Sequence, residues 1–245
     1  DEVAATVRED TGLVIMETPA NPTLELVSIS RVAEQAGEVP LLVDNTFATP
    51  VLQNPLDHGA AMSMHSATKY LGGHGDVIGG VIACSEAHAQ MLRPIRAITG
   101  AILHPLAAYL LHRGLTTLPL RVRAQQENAK MVAEWLSTHD AVERVYFPGM
   151  NTDPDGVLGS QMSGPGAMVA IKLKGGAEAA ERLTGAVKIF THAVSLGGID
   201  SLIENPAALT HRPVAGDAKP DAGIVRMSIG LESAEDLIAD LARGL

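Results

Sequence analysis

Leu41-Leu42-Val43-Asp44-Asn45-Thr46 reads as a short apolar strand that ends on an acid. Met64-His65-Ser66-Ala67-Thr68-Lys69-Tyr70-Leu71-Gly72-Gly73-His74-Gly75-Asp76 reads as a second strand end that runs into a lysine between hydroxyls and a glycine-rich turn. Outward from these stretches the same alternation repeats. Apolar runs at 13–17, 41–44, 61–65 and 77–83 are interleaved with amphipathic segments, which predicts an α/β fold with a parallel sheet covered on both faces. Residues 28–36 predict a helix capped by Ser28 and closed by Gly37, and 85–99 predict another with Gly100 past its end. A long helical stretch covers 105–139, with Leu110, Leu111, Leu115 and Leu118 on its apolar side and Pro119 as a break or kink.

The turn-rich stretch Pro148-Gly149-Met150-Asn151-Thr152-Asp153-Pro154-Asp155-Gly156 marks a change of composition. Beyond it, 167–173 alternates like a half-buried strand, 177–184 is helical, 224–229 is strand-like, and 233–242 is a final helix with Ser233 as N-cap. This pattern divides the chain into a first domain over 1–140 and a small α+β domain over 141–245. Residues 215–223, rich in Pro, Asp, Gly and Ala, read as a loose surface loop.

Composition sets limits. Apolar residues make up 46 % of the 245, enough for a sizeable core, but aromatics only 3 %, so aliphatic side chains must fill it. The formal charge of −10 argues against a nucleic-acid partner, which favours a basic face. Cys84 is the single cysteine, so there is no internal disulfide and no cysteine-based metal site, and a reducing, cytoplasmic setting fits. No long apolar run and no basic-then-apolar start point to a membrane span or a secretory signal. Asp1 to Gly12 read as the end of a helix, as though the chain began inside a larger protein.

The motifs then have to be weighed. A lone lysine is most often a solvated surface group. Lys69 differs because Ser66 and Thr68 bracket it at the end of an apolar strand, where open α/β sheets bind ligands, and because glycines follow that let backbone approach a ligand. Asp44 is either a capping acid or the partner of a permanent cation. Together, a lysine, an upstream acid and a hydroxyl- and glycine-rich turn are what pyridoxal phosphate requires: an amine for its aldehyde, a carboxylate for its ring nitrogen and donors for its phosphate. Asn21, in Glu17-Thr18-Pro19-Ala20-Asn21-Pro22, is a turn residue or a donor to the ring oxygen. Arg226 enters an apolar strand in Val225-Arg226-Met227, where a charge is costly unless paired. It is either half of an internal salt bridge or a fork for a substrate carboxylate. Ser195 alone is an ordinary turn serine. His58, His65 and His74 lack the spacing and the acids of a metal site. Ile78 stands where the last glycine of a dinucleotide fingerprint would fall, and no phosphate-loop lysine motif occurs.

Taken together, these motifs resemble the Cys/Met-metabolism family of pyridoxal-phosphate enzymes, which includes cystathionine γ-synthase, cystathionine lyases, methionine γ-lyase and the O-acylhomoserine sulfhydrylases. The resemblance runs through Val43-Asp44-Asn45-Thr46, His65-Ser66-Ala67-Thr68-Lys69-Tyr70, Arg113-Gly114-Leu115, Ser195-Leu196-Gly197, Pro206 to His211 and Arg226-Met227-Ser228-Ile229-Gly230. It implies a large aspartate aminotransferase-like cofactor domain followed by the small domain. It implies Lys69 as Schiff-base lysine and proton shuttle and Asp44 on the pyridine nitrogen. Asn21 falls beside the ring hydroxyl with Thr46 near the ring, Ser66 and Thr68 on the phosphate, and Ser195 and Arg226 on the substrate carboxylate.

The resemblance further implies a sulfur amino acid as substrate and a homo-oligomer, a tetramer of tight dimers. Ile98-Thr99-Gly100-Ala101 and Arg113-Gly114-Leu115-Thr116 are most similar to methionine γ-lyase, as is Val194, where readers of cystathionine's charged end carry Glu. Ala48 points away from it, since methionine γ-lyases place Cys there. The γ-synthase and sulfhydrylase alternatives stay open, as does an inactive fragment that keeps the fold. Family members also carry a long upstream stretch with further cofactor contacts, so this segment alone is not expected to be a competent enzyme.

Overall fold

The computed structural model describes residues 2–210, 213, 214, 216 and 219–245. In chain order the elements are α1 (Glu2–Thr6), β1 (Val14–Glu17), α2 (Ile29–Ala36), β2 (Leu41–Asp44), α3 (Thr49–Leu52), β3 (Met62–Ser66), β4 (Gly80–Cys84), α4 (Glu86–Thr99) and α5 (Pro105–Ser137), followed by β5 (Val142–Tyr146), β6 (Met168–Leu173), α6 (Gly176–Ala186), β7 (Thr191–His192), β8 (Leu202–Glu204), β9 (Ile224–Ser228) and α7 (Ala234–Leu241).

Capping chemistry sets several helix ends where the sequence puts them. Ser28 accepts from Arg31 N–H at the start of α2, Ser85 from His88 N–H at the start of α4, and Ser233 from Asp236 N–H at the start of α7. Each satisfies a donor that the first turn leaves open. Gly37 and Gly100 close α2 and α4 at positive φ. Pro119, in contrast, does not break the long helix, which runs unbroken from Pro105 to Ser137. Separately, the Gly114 carbonyl accepts from Thr117 Oγ1 and Arg121 Nη2, whereas the carbonyl that Pro119 crowds is that of Leu115. Leu111 and Leu118 are buried as expected, but Leu115 is 40 % exposed.

The first sheet has the order β1-β2-β3-β4. β1, β2 and β3 run parallel, with Glu17 level with Asp44 and Asp44 level with Met64. β4 is antiparallel to β3 and starts later than the run at 77–83 suggests, so the sheet is mainly parallel. Val77 to Gly79 belong instead to the connection, where Gly79 carbonyl accepts from Ala67 N–H. The expected cover on both faces also fails at this edge, because α4 buries none of its residues and β4 buries none fully.

The second sheet has the order β5-β6-β9-β8-β7. β5, β7 and β8 carry no strong sequence signal. β6 is not half-buried as its alternation suggests: five of its six residues are buried, because α5 and α6 both pack on the sheet. All five residues of β9 are buried, Arg226 among them. One core cluster runs from Leu24 and Leu26 through Leu118, Val122 and Leu136 of α5 to Val169, Ile171, Val225 and Leu237. A smaller one lies under α2. Parts of the expected loop at 215–223, and His211, lie outside the described residues.

Candidate active site

Because β1, β2 and β3 are parallel, their carboxyl ends fall on one edge, the usual ligand edge of an open α/β sheet. Glu17, Asp44 and Ser66 end the three strands. Thr46 joins two of these ends: its N–H donates to Asp44 Oδ1 (3.0 Å), and its Oγ1 accepts from Ser66 N–H (2.8 Å). Asp44 is half-buried and has no cationic partner among the described residues. Ser66 Oγ likewise has no hydrogen bond there.

Lys69 follows in a tight π-type turn, Ala67–Leu71, and its own backbone is not helical (φ −91°, ψ −128°). This kink turns the amine away from the turn axis. Lys69 Nζ donates to Ser195 Oγ at 2.9 Å. Burial holds the amine below the ordinary lysine value, the Arg226 charge adds to the effect, and Glu204 opposes it. Thr68 Oγ1 accepts from Gly79 N–H (3.1 Å), which fastens the turn to the approach of β4.

Ser195 sits at φ 96°, a conformation rare for residues other than glycine and one the surroundings must hold. Two contacts hold it. Arg226 Nη2 donates to the Ser195 carbonyl (3.1 Å), and Gly197 N–H donates to Ser228 Oγ (2.8 Å). Arg226 is 3 % exposed. Its Nη1 donates to Asn21 Oδ1 (2.8 Å) and its Nη2 pairs with Glu204 Oε1 (2.7 Å), itself 1 % exposed. Of the two readings of Arg226 from sequence, the structure shows the internal ion pair, and the guanidinium also stands beside Ser195. By accepting from Arg226, the Asn21 oxygen leaves the amide N–H groups to donate. The Asn21 N–H donates to Glu17 Oε1 (2.5 Å).

Direct hydrogen bonds thus link Asn21, Arg226, Ser195 and Lys69, while Asp44, Ser66 and Thr68 gather at the neighbouring strand ends. Val194 is 51 % exposed and touches none of them by hydrogen bond. Glu204 is the functional-site residue that sequence reasoning misses. Its signal is an acid closing the apolar triplet Leu202-Ile203-Glu204 just before Asn205-Pro206. That signal gains meaning only once β8 is paired with β9, which sets Glu204 opposite Arg226. His65 lies nearby on β3, 5 % exposed, with Nε2 3.2 Å from Ser63 Oγ and Nδ1 buried without a partner. Among the described residues no group of three metal-ligating side chains occurs and no helix is long and apolar enough to cross a membrane.

The family described as Cys/Met metabolism PLP-dependent enzyme matches residues 1–245. An L-methionine gamma-lyase of Brevibacterium sandarakinum is 58 % identical over 245 residues, covering all of this chain and 62 % of the relative, so the chain spans less than two thirds of that relative's length. Among solved structures, metB from Corynebacterium glutamicum superimposes with a TM-score of 0.96 at 40 % identity, over all of this chain and 65 % of that one. A methionine gamma lyase from Micromonospora echinospora superimposes with a TM-score of 0.93 at 40 % identity, over 99 % of this chain and 66 % of that one.

Proposed function

The chain belongs to the Cys/Met-metabolism PLP-dependent enzymes, and from that premise we propose that it serves as a carbon–sulfur lyase on sulfur amino acids, with methionine as the main substrate and thiol, ammonia and 2-oxobutanoate as products. The observation that carries the reading is the Lys69 amine, half-buried, lowered in pKa and hydrogen-bonded to Ser195 beside the Arg226 guanidinium. Similarity to methionine gamma-lyases selects the substrate class.

The residues present fit the family's cofactor. Asp44 is a half-buried carboxylate with no cation of its own, Ser66 has an unused hydroxyl, and the Asn21 amide is oriented with its donors free. Pyridoxal phosphate, when bound, supplies an aldehyde for an amine and a ring that accepts an electron pair from the substrate's α-carbon. Lys69 would hold it through Nζ, Asp44 at the ring nitrogen, Asn21 at the ring oxygen, and Ser66 and Thr68 at the phosphate.

The chain's own residues supply the rest. Arg226 and Ser195 orient the amino acid by its carboxylate. Glu204 keeps the guanidinium charged and in place, since an unpaired buried charge is costly. Once the substrate amine has released it, Lys69 Nζ, whose neutral form burial and Arg226 favour, would take the proton from Cα and, after passing that proton on, one from Cβ, so that the γ-substituent can leave. Ser195 Oγ keeps that amine within reach of both carbons. Val194 offers an apolar wall to a thioether methyl. The exposed Met91, Ile95, Ile98 and Ile102 support assembly into a homo-oligomer, a tetramer built of two tight dimers, and a lone free Cys84 suits the cytoplasm.

The test is an assay of the intact protein with methionine, cystathionine and O-acetylhomoserine, following 2-oxobutanoate and thiol. Methionine should give both products. Replacement chemistry on O-acetylhomoserine without methionine cleavage would assign it to the γ-replacement members of the family.

A further inference from the structure

Two buried polar residues of α5 take no part in the chemistry above. Arg121 is 5 % exposed and Gln125 fully buried. They stand one helical turn apart and so share a face. Arg121 Nη1 donates to Tyr70 O (2.9 Å), Nη2 to Gly114 O (2.8 Å) and Nε to Thr117 Oγ1 (3.0 Å). All three acceptors are neutral, and no acid pairs with Arg121 among the described residues. Burial pushes its pKa down. The contrast with Arg226 is direct, since that guanidinium has Glu204. A buried cation held by neutral acceptors alone is expensive to keep, and one of the carbonyls it holds belongs to the residue after Lys69.

Gln125 does the same on the other side. Its Nε2 donates to Gly198 O (2.6 Å) and to Ile229 O (3.2 Å), and Gly198 lies three residues after Ser195. The backbone of α5 also abuts the lysine turn. A Cβ on Gly114 would come within 2.5 Å of Gly72 O and 2.6 Å of Leu71 O, and one on Gly73 would overlap the Arg121 guanidinium. Gly73 O in turn accepts from Ile199 N–H at 3.0 Å. The lysine turn and the serine loop are therefore pinned to successive turns of one continuous 33-residue helix.

We propose that Arg121 and Gln125 are paired positioning residues that use α5 as a rigid spacer to set the Lys69–Ser195 separation. The proposal rests on the reading of Lys69 as the amine that takes the cofactor. Arg121 fixes where that amine emerges, and Gln125 fixes where Ser195 meets it.

The experiment uses the full-length protein freed of cofactor. Pyridoxal phosphate is added, the mixture is quenched with borohydride at timed intervals, and labelled peptides are quantified by mass spectrometry. Far-UV circular dichroism monitors the fold. Arg121→Met should take up label at Lys69 about tenfold more slowly or worse, in keeping with the cost of small misplacements. Arg121→Lys keeps the charge but loses the planar fork and should behave like the Met variant. Gln125→Met should label at a rate within about twofold of wild type, yet raise KM for methionine about tenfold with a smaller change in kcat. A folded Arg121→Met that labels at the wild-type rate overturns the proposal. If that variant does not fold, an unchanged KM in Gln125→Met overturns it. Wild-type label at a lysine other than Lys69 overturns the reading of the site itself, an outcome distinct from failure of the positioning pair.

Discussion

The two sheets differ in where they are covered: the second is closed over its central strands, and the first, buried at β2, is open at its β4 edge. β6 and β9 lie under α5 and α6 and bury nearly every side chain, whereas β4 buries none fully and α4 leaves Met91, Ile95 and Ile98 more than half exposed. The chemistry does not follow that division. Asn21, Asp44 and Lys69 come from the openly covered sheet, and Ser195, Arg226 and Glu204 from the closed one. The closed sheet supplies a rigid wall in which a charge can be buried because an acid is buried opposite it. The open sheet supplies strand ends, whose backbone groups and short polar side chains face outward whatever covers its far flank. A site assembled at such a junction needs the two sheets fixed to each other, which α5 does by contributing to the core on both sides.

The contrast is tested hardest at the amine. Lys69→Ala should lower methionine cleavage in the intact protein by about 10³-fold or more, while circular dichroism and melting stay close to wild type, since only one side-chain hydrogen bond is lost from a half-buried position. Reducible cofactor attached at another lysine in the variant would place the chemistry elsewhere.

Asp44 tests whether the open sheet's strand ends carry charge or only cap. Asp44→Asn should cost about a hundredfold in kcat/KM, and Asp44→Glu much less, because an amide cannot stabilise a ring cation and a longer carboxylate can. Equal rates for Asp and Asn, with cofactor bound, would leave Asp44 as the partner of Thr46 N–H and nothing more.

Burial itself is tested by a matched pair. Ile171, fully buried in β6, should cost about 2–5 kcal/mol on truncation to Ala. Ile98, 86 % exposed on α4, should change stability by no more than about 0.5 kcal/mol when replaced by Ser in the dissociated protomer, where no neighbouring copy covers it. Urea denaturation of both variants of this chain measures the two. Similar losses would mean that the α4 flank is packed in solution.

Much of this was legible from residues alone, because the signals are local. Ser28, Ser85 and Ser233 cap helices by bonds that span three residues, and the apolar run 41–44 becomes β2 with those bounds. The order of Asp44, Lys69, Ser195 and Arg226 pointed to the family that the chain proves to belong to. What escaped was what depends on pairing. β4 runs antiparallel, β7 and β8 are too short to show a period, and Glu204 matters only through its register with Arg226. Pro119 misled because one lost backbone hydrogen bond is small beside the packing of α5 into the core, which keeps the helix continuous and appears only in three dimensions.

Specificity gives a smaller effect. Val194 is half exposed beside Ser195 and offers no charge to the distal ammonium of cystathionine. Val194→Glu should shift preference from methionine toward cystathionine by about tenfold to a hundredfold in relative kcat/KM, the worth of one charge-assisted hydrogen bond of roughly 1.5–3 kcal/mol. An unmoved ratio would remove Val194 from the wall of the distal pocket.

The smallest effect concerns how well the open sheet excludes water around β3. Burial holds the His65 imidazole below its ordinary value of 6.5, with the nearby Asp44 charge pulling the other way. In the unfolded chain His65 takes its proton near 6.5, while in the folded chain it resists it. Between the folded value and 6.5 the unfolded state therefore binds more protons, and stability rises with pH. The increment is complete above about pH 7 and is lost as pH falls below 6.5 toward the folded value, at no more than about 1.4 kcal/mol per pH unit. The exposed carboxylates whose ion pairs lower their pKa, such as Glu86, shed their contribution only at more acid pH, below 4.5. Burial also raises the Glu17 carboxyl above 4.5, which gives a slope of opposite sign, so the imidazole is isolated by comparing wild type with a variant that lacks it. His65→Gln should flatten the rise of the urea midpoint with pH below 6.5. An identical pH slope in wild type and variant would mean that water reaches the His65 ring in the folded protein, and that the cover over β3 is as open as that over α4.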